Sequence, residues 1–171
     1  MSSTRLPGKV LLPLGERTVL GHVIARCARF SSQVVVCTSE DASDDPIAEH
    51  CHETGVLCVR GPLDDVFARF RLALGDPRVA QTDFFARVTA DSPMLSATLG
   101  RLLVTHAAHD VDYLRVTPGT TPLGIALELV NRATFEAIDM ARLDGPEREH
   151  VTLKLYERSG AFRCLDVSPP A

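Results

Sequence analysis

The chain has 171 residues, of which 45% are hydrophobic and 23% are charged, and its formal net charge at pH 7 is −4. This composition excludes a disordered chain, which needs low hydrophobicity and high net charge. The acidic balance gives no electrostatic reason for nucleic-acid binding, so we expect no nucleic-acid partner. The length predicts a single domain over residues 1–171.

The N-terminal residues and the cysteines indicate the cellular compartment. Residues 1–5 do not start the charged-then-apolar pattern of a signal peptide, and no apolar run approaches the length of a membrane span. The five cysteines lie scattered through apolar segments. An odd set of this kind is typical of reduced thiols in the cytosol. We therefore predict a cytoplasmic protein without a membrane partner.

Helical and strand patterns alternate along most of the chain. Residues 2–15 predict a loop that carries a short apolar piece, Val10-Leu11-Leu12. From there the predicted elements, in chain order, are a helix over 18–30, a strand over 34–37, a helix over 44–53, a strand over 56–59, a helix over 63–74, a strand over 84–89, a helix over 97–108, strands over 113–116 and 125–130, helices over 133–143 and 147–156, and an edge strand over 162–167. This order predicts an α/β fold, with a mostly parallel sheet covered by helices on both faces.

The opening residues 2–9 have the composition of a phosphate-binding loop. Small residues let backbone N–H groups approach phosphate oxygens, and Arg5 and Lys9, four residues apart, can neutralise them. The alternative is a flexible terminus with two solvated cations.

A second polar segment, residues 89–93, follows the strand predicted over 84–89. Ligands in such sheets bind at the carboxyl ends of strands, which points to the loops around Asp91 and Ser39. The Asp91 carboxylate is well placed to hold Mg²⁺, which takes few protein ligands. Alternatively, the Asp91 side chain caps the turn that follows.

Two further clusters of ionisable residues have simpler alternatives. Asp64 and Asp65 are expected to cap the N-terminus of the helix that follows them. The run over 147–152 is dense in ionisable groups and either lines a sugar pocket or forms a solvated helix face.

Together these segments resemble the cytidylyltransferases that activate acidic sugars, among them the synthetases of CMP-sialic acid and CMP-3-deoxy-manno-octulosonate and the spore-coat polysaccharide branch. The similar segments are residues 3–11, 14–23, 38–48, 60–66, 87–93 and 148–152. The resemblance implies a nucleotide-diphospho-sugar transferase (Rossmann-like) fold. It also implies transfer of CMP from CTP to a sugar or small acidic acceptor, with Mg²⁺ and with release of pyrophosphate.

The resemblance also assigns roles to individual residues. The implied nucleotide-binding residues are Ser3, Arg5, Lys9, Ser39 and Asp91. Of these, Arg5, Lys9 and Asp91 would be catalytic, with Asp91 as the metal ligand. The implied acceptor-binding residues are Glu128, Arg148 and His150.

The chain departs from the family pattern in three respects, which leave alternatives for its fold and for its function. Family members carry an apolar central strand ahead of the position of Met1, an aspartate where Ala126 stands, and a further segment beyond the equivalent of Val167. We expect the place of that central strand to be taken by upstream sequence, by Val10-Leu11-Leu12 or by a second subunit in a homodimer. The alternative function is a repurposed relative that keeps the scaffold, and binds a ligand or partner or runs different chemistry without nucleotidyl transfer.

Overall fold

The structure is a computed structural model, and it describes residues 6–157 and 160–169. The helices are α1 (Val19–Cys27), α2 (Asp45–Glu53), α3 (Val66–Gly75), α4 (Ala97–Thr105), α5 (Arg132–Ala137), α6 (Gly145–Glu149) and α7 (Leu153–Glu157). The strands are β1 (Pro13–Leu14), β2 (Arg17–Thr18), β3 (Val35–Ser39), β4 (Leu57–Gly61), β5 (Phe84–Arg87), β6 (Tyr113–Val116), β7 (Glu128–Asn131) and β8 (Cys164–Val167). The α/β class predicted from the sequence is confirmed.

The strands of the described residues form three separate sheets. β1 and β2 make a small antiparallel hairpin, and β3 and β4 pair in parallel. The third sheet has the order β5-β7-β6-β8, in which β7 is antiparallel to both neighbours and β8 is parallel to β6. β7 reverses direction because a loop without a helix joins it to β6, whereas a parallel neighbour needs a helical crossover.

Side-chain caps fix where three of the predicted helices begin. The Thr18 hydroxyl oxygen accepts a hydrogen bond from the N–H of Gly21 at the start of α1, and Ser96 does the same for Leu99 in α4. Asp65 accepts from the N–H of Ala68 at the start of α3. The capping role expected from the sequence at Asp64-Asp65 is therefore confirmed for the second aspartate.

The two long helices predicted over 133–143 and 147–156 are each broken, and the prediction of continuous helices is wrong. Asp139 caps a new 3-10 turn by accepting a hydrogen bond from the N–H of Ala141 at 3.0 Å. Asp144 and Glu147 then form a reciprocal capping box that starts α6. The backbone leaves helical geometry at His150, with ψ of 79°, which separates α6 from α7.

The apolar core lies on both faces of the four-stranded sheet. On one face, Val23 of α1 and Leu103 of α4 belong to the same buried cluster as Leu114 of β6. On the other face, the ring of Phe67 in α3 stacks on that of Phe135 in α5 with 4.2 Å between centroids. Helices α1 and α3 also line the space between β3 and β5. They therefore lie against both of the larger sheets.

The segment Val10-Leu11-Leu12 does not act as a strand of either larger sheet, so that alternative is wrong. Residues Lys9–Leu11 form one turn of 3-10 helix after Gly8, whose φ of 72° turns the chain. The first two apolar side chains of the segment then pack beside buried Leu20 of α1. No helix within the described residues has both the length and the apolar character needed to cross a membrane.

Candidate functional site

Lys9 and Asp91 form an ion pair, in which the Lys9 ammonium donates a hydrogen bond to the Asp91 carboxylate. Lys9 is placed there by the turn that begins at Gly8. Asp91 is placed there by β5, which ends at Arg87 and leads into the polar segment. The structure therefore brings the opening segment and the segment around Asp91 together, at the carboxyl end of β5.

The pair is partly open to solvent, since the Lys9 side chain is 37% exposed and that of Asp91 is 40% exposed. The hydrogen bond from Lys9 lowers the pKa of Asp91 below its usual value of 3.8, although partial burial opposes this shift. Asp91 is therefore ionised at neutral pH. A phosphate can compete for Lys9, and a cation can compete for Asp91.

Asp91 could hold a metal together with a ligand but not as part of a protein cage. Within residues 6–157 and 160–169, no group of three histidine, cysteine, aspartate or glutamate side chains is arranged to hold a metal ion. Mg²⁺ commonly binds through one or two carboxylates, with substrate phosphates and water completing its six positions. An exposed, ionised Asp91 fits this mode of binding.

The turn around Asp91 is closed by its neighbours. The N–H of Ser92 donates to the carbonyl oxygen of Thr89 at 3.2 Å, and the two hydroxyl oxygens lie 2.7 Å apart. The Asp91 carboxylate accepts hydrogen bonds from Lys9 of the opposite segment and from the side chain of Thr89 in its own turn. Asp91 therefore both contributes to its own turn and contacts the opposite segment.

A cavity of about 200 Å³ lies beside this turn, on the four-stranded sheet. Its polar lining comes from Arg87, Thr89, Arg115 and Glu128, and its apolar lining includes the methyl group of Ala126. Because Thr89 lines the cavity two residues before Asp91, the cavity and the ion pair are adjacent. A ligand that spans both would meet cations and carboxylates in each part.

Glu128 is held in place from three sides. Its oxygens accept hydrogen bonds from the Tyr113 hydroxyl at 2.7 Å and the Thr152 hydroxyl at 2.8 Å, and the Arg87 guanidinium lies 3.5 Å away. Burial and the nearby Glu128 charge raise the pKa of Tyr113, so its hydroxyl stays protonated and donates. Glu128 therefore presents a fixed negative charge at the cavity.

Arg115 is fixed by two contacts on the opposite side of the cavity. Its Nε donates to Asp166 of β8 at 2.8 Å, and its guanidinium lies over the ring of Tyr156, 5.4 Å from the centroid. Tyr113 and Arg115 are two residues apart on β6 and thus point to the same face of the sheet. That alternation was the only sequence signal for these residues, and the sequence analysis did not select them.

Ser39 is buried at the end of β3, where its hydroxyl donates to the Asp44 carboxylate at 2.5 Å. The Thr38 hydroxyl and the N–H of Ser39 donate to the same oxygen, at 2.9 and 3.0 Å. Arg60 adds a bond from its Nε to the Ser39 carbonyl oxygen at 2.8 Å. The Ser39 hydroxyl is therefore held inside the protein by a buried hydrogen-bond network, which the sequence analysis did not predict.

Arg148 and His150, expected near the acceptor, lie on and after α6. The Arg148 guanidinium forms an ion pair with Asp65 and donates to the carbonyl oxygen of Met140 at 2.6 Å, which ties α6 to the start of α3. His150 is exposed, two residues before Thr152. Of the three acceptor candidates, the structure places Glu128 at the cavity, whereas Arg148 is occupied elsewhere. Ser3 and Arg5 lie outside the described residues.

The α/β fold is the nucleotide-diphospho-sugar transferase fold that the sequence resemblance implied, and solved cytidylyltransferase structures share it. The model of the family described as Cytidylyltransferase matches residues 1–167. The chain belongs to this family.

Two relatives illustrate the similarity in sequence. The chain is 30% identical to the spore coat polysaccharide biosynthesis protein SpsF of Bacillus subtilis (strain 168), over 99% of this chain and 72% of that protein. It is 26% identical to the 3-deoxy-manno-octulosonate cytidylyltransferase of Methylococcus capsulatus, over 98% of this chain and 74% of that protein.

Three solved structures share the fold. A cytidylyltransferase from Leptospira borgpetersenii serovar Hardjo-bovis is 29% identical, with a TM-score of 0.86 over 99% of this chain and 72% of that one. CMP:2-keto-3-deoxy-manno-octonic acid synthetase complexed with CTP is 14% identical, with a TM-score of 0.68 over 98% and 86%. Rv0371c of Mycobacterium tuberculosis H37Rv in complex with manganese is 17% identical, with a TM-score of 0.66 over 95% and 82%. At these identities the last two show the fold alone.

Proposed function

We propose that the chain is a cytoplasmic, CTP- and Mg²⁺-dependent cytidylyltransferase that transfers CMP to an acidic sugar or small acidic acceptor and releases pyrophosphate. The observation that carries the proposal is the contact between Lys9 and Asp91 beside the polar cavity. A triphosphate needs a cation near its oxygens and a carboxylate that shares its metal, and this pair supplies both. Relatives named for cytidylyl transfer support the choice of nucleotide.

In the proposed reaction an acceptor hydroxyl oxygen forms a bond to the α-phosphorus of CTP, and the bond between that phosphorus and the bridging oxygen breaks. The leaving group is pyrophosphate, and the hydroxyl proton passes to solvent or a nearby base. Lys9 leaves Asp91 and donates to a triphosphate oxygen instead. Asp91 would hold Mg²⁺, which would neutralise the developing phosphate charge when bound. Ser3 and Arg5 complete the proposed nucleotide site.

The acceptor is proposed to enter the cavity of about 200 Å³. Glu128 accepts hydrogen bonds there from the hydroxyl groups of a sugar, and Arg87 and Arg115 favour an anionic acceptor. His150, which is exposed just after α6, belongs to the proposed acceptor side as well. Fixed side chains of this kind raise the rate mainly by positioning, because phosphoryl-type transfer needs little covalent help from the protein.

The test is pyrophosphate release from CTP and MgCl₂ with one acidic sugar at a time, beginning with 3-deoxy-manno-octulosonate. We expect release that depends on both Mg²⁺ and acceptor, and that is lost in Lys9→Ala. The matched control is Arg163→Ala, which removes the cation of another exposed ion pair, with Asp110. Loss of release in both variants, or release without added acceptor, would contradict the proposed site.

A second candidate function is ligand binding without transfer, and Ala126 is the observation that favours it. Its methyl group lines the cavity at a position where the family resemblance implies a carboxylate. A methyl group binds neither a metal nor a hydroxyl. Under this function Mg²⁺ and CTP bind while no acceptor in the panel yields pyrophosphate, and Ala126→Asp restores release.

A further inference from the structure

Four charged side chains form one row across the four-stranded sheet. Arg87 of β5 lies opposite Glu128 of β7, and Glu128 in turn lies opposite Arg115 of β6. Arg115 then lies opposite Asp166 of β8. Residues directly opposite each other in a sheet present their side chains on the same face. The row therefore alternates positive, negative, positive and negative charge, and its first three members line the polar cavity.

Arg115 is paired along one edge of its guanidinium. Its Nε and Nη2 donate to the two carboxylate oxygens of Asp166, at 2.8 and 3.5 Å. The ring of Tyr156 lies against the same guanidinium. A guanidinium and a carboxylate that meet through two nitrogens and two oxygens offset each other's charge and hold each other's orientation. Arg115 therefore presents little net positive charge to an anion that enters the cavity.

Arg87 leaves the corresponding edge of its guanidinium unpaired. In the part of the chain that the structure describes, its only side-chain hydrogen bond runs from Nη1 to Glu128 at 3.5 Å, the longest distance at which such a bond is counted. Glu128 is already engaged by Tyr113 and Thr152, at 2.7 and 2.8 Å. The Nε and Nη2 of Arg87 can therefore form the two parallel hydrogen bonds that a guanidinium makes with a carboxylate.

We infer that Arg87 binds the anionic group of the acceptor and that Asp166 withholds Arg115, so that the cavity takes an acceptor with one anionic group. Both arginines attract an anion at a distance, but only Arg87 has its Nε–Nη2 edge open for contact. A second carboxylate beside Arg115, about 9–10 Å along the row at two strand spacings, would meet the negative charge of Asp166. The inference rests on the proposed function, because it takes the cavity as the acceptor site.

The probes are three molecules with the same six-carbon chain and increasing charge: sorbitol is neutral, gluconate has one carboxylate and glucarate has two. Their affinities for the full chain are measured by calorimetric titration without nucleotide and at constant ionic strength. We expect the wild type to bind gluconate about tenfold more tightly than sorbitol, as one charge-assisted pair implies. Glucarate should bind no more than about threefold more tightly than gluconate. A wild type without preference for gluconate over sorbitol would overturn the inference.

Arg87→Gln tests the contact with the anion. We expect this variant to lower the ratio of gluconate affinity to sorbitol affinity by about tenfold, because the charge-assisted pair is lost. Arg115→Gln should lower the same ratio by about threefold or less, since Asp166 already offsets that charge. The control is Arg163→Gln, which removes the cation of an exposed ion pair near the amino end of β8 and should leave the ratio unchanged. An unchanged ratio in Arg87→Gln, or an equal loss in Arg115→Gln, contradicts the inference.

Asp166→Asn tests the withholding of Arg115, and the expected result is a gain. Without the Asp166 charge, Arg115 can bind the second carboxylate of glucarate, so the ratio of glucarate affinity to gluconate affinity should rise about tenfold. Asp110→Asn removes the carboxylate of the control pair and should leave this ratio unchanged. The inference is overturned by no gain in Asp166→Asn, by an equal gain in Asp110→Asn, or by a wild type that already binds glucarate about tenfold more tightly than gluconate.

The inference and the proposed transfer fail separately. If the affinity ratios change as expected but no acceptor yields pyrophosphate, transfer is contradicted and the assignment of Arg87 and Asp166 holds. If pyrophosphate is released from CTP but Arg87→Gln keeps the preference for gluconate, the assignment is contradicted and transfer holds.

Discussion

The four-stranded sheet and the β3–β4 sheet use charged residues in opposite ways. Beside the four-stranded sheet, Asp91 and Glu128 keep exposed or half-buried carboxylates next to a cavity. At the end of β3, Asp44 is 3% exposed and accepts three hydrogen bonds from Thr38 and Ser39. Carboxylates near the ends of strands thus occur in two settings in this fold: partly open beside a cavity, and buried where they hold a loop.

The largest expected effect that sharpens this comparison is the loss of transfer in Asp91→Ala. Removing the proposed metal ligand should lower the rate of pyrophosphate release by about 10²-fold or more, because charge neutralisation at the phosphates is lost. The free energy of unfolding should change by less than about 1 kcal/mol, since the pair with Lys9 is exposed. Denaturant melts measure stability, and Asp110→Ala is the control. A large loss of stability with normal pyrophosphate release would show that Asp91, like Asp44, holds the fold and does not bind a metal.

The reverse pattern is expected of Asp44→Ala. Its three donors lose a buried acceptor, which should lower the free energy of unfolding by about 3 kcal/mol or more. At a temperature where the variant is folded, its affinity for CTP should stay within about threefold of the wild-type value, because Asp44 does not face the cavity. Calorimetric unfolding and CTP titration give the two numbers. A stable variant that no longer binds CTP would contradict the structural role of Asp44.

A smaller effect is expected at Glu128. Glu128→Gln removes the charge opposite Arg87 and keeps the size of the side chain, so the KM for the acceptor should rise about tenfold. The affinity for CTP should be unchanged. Thr152→Val, which removes one of the hydrogen bonds that orient Glu128, should raise KM by about threefold or less. An equal loss of CTP affinity in Glu128→Gln would show that this residue belongs to the nucleotide side.

The smallest expected effect is the dependence of stability on pH. The folded state holds the pKa of Asp91 below 3.8, with the hydrogen bond from Lys9 as the main cause. The ionised carboxylate therefore stabilises the fold above pH 3.8, and this contribution is lost as the pH falls through the lower folded value. Wild type and Asp91→Asn should differ by less than about 1 kcal/mol at pH 7, because the pair is exposed, and should converge in acid. A gap that widens in acid would contradict the ion pair.

Most elements of the fold could be predicted from the sequence because they carry a local signal. The strand over Tyr113–Val116 was predicted with its observed bounds, and α1 begins at the residue after its cap, Thr18. The antiparallel direction of β7 follows from the helix-free loop before it, whereas its position between β5 and β6 was not predictable, since it depends on where that loop returns. The breaks at Asp139 and Asp144 were visible as capping residues, but the apolar spacing through them was given more weight.

The candidate site was predictable only in part, for a related reason. The residue types and order around Lys9 and Asp91 suggested phosphate and metal binding, and folding brings the two segments into contact. Tyr113 and Arg115 escaped notice because a polar residue on a strand carries no sign of what it faces. Ser39 was expected to face the nucleotide, whereas its hydroxyl is held by Asp44. Whether a polar group faces inward or outward is set by packing, which no local pattern records.

The most direct test of the account is calorimetric titration of CTP into the full chain, with and without MgCl₂, in the wild type and in Asp91→Asn. The account predicts that Mg²⁺ tightens CTP binding by about tenfold or more in the wild type and has no effect on the variant. Equal tightening by Mg²⁺ in both proteins, or no CTP binding to the wild type, would contradict a triphosphate site between Lys9 and Asp91.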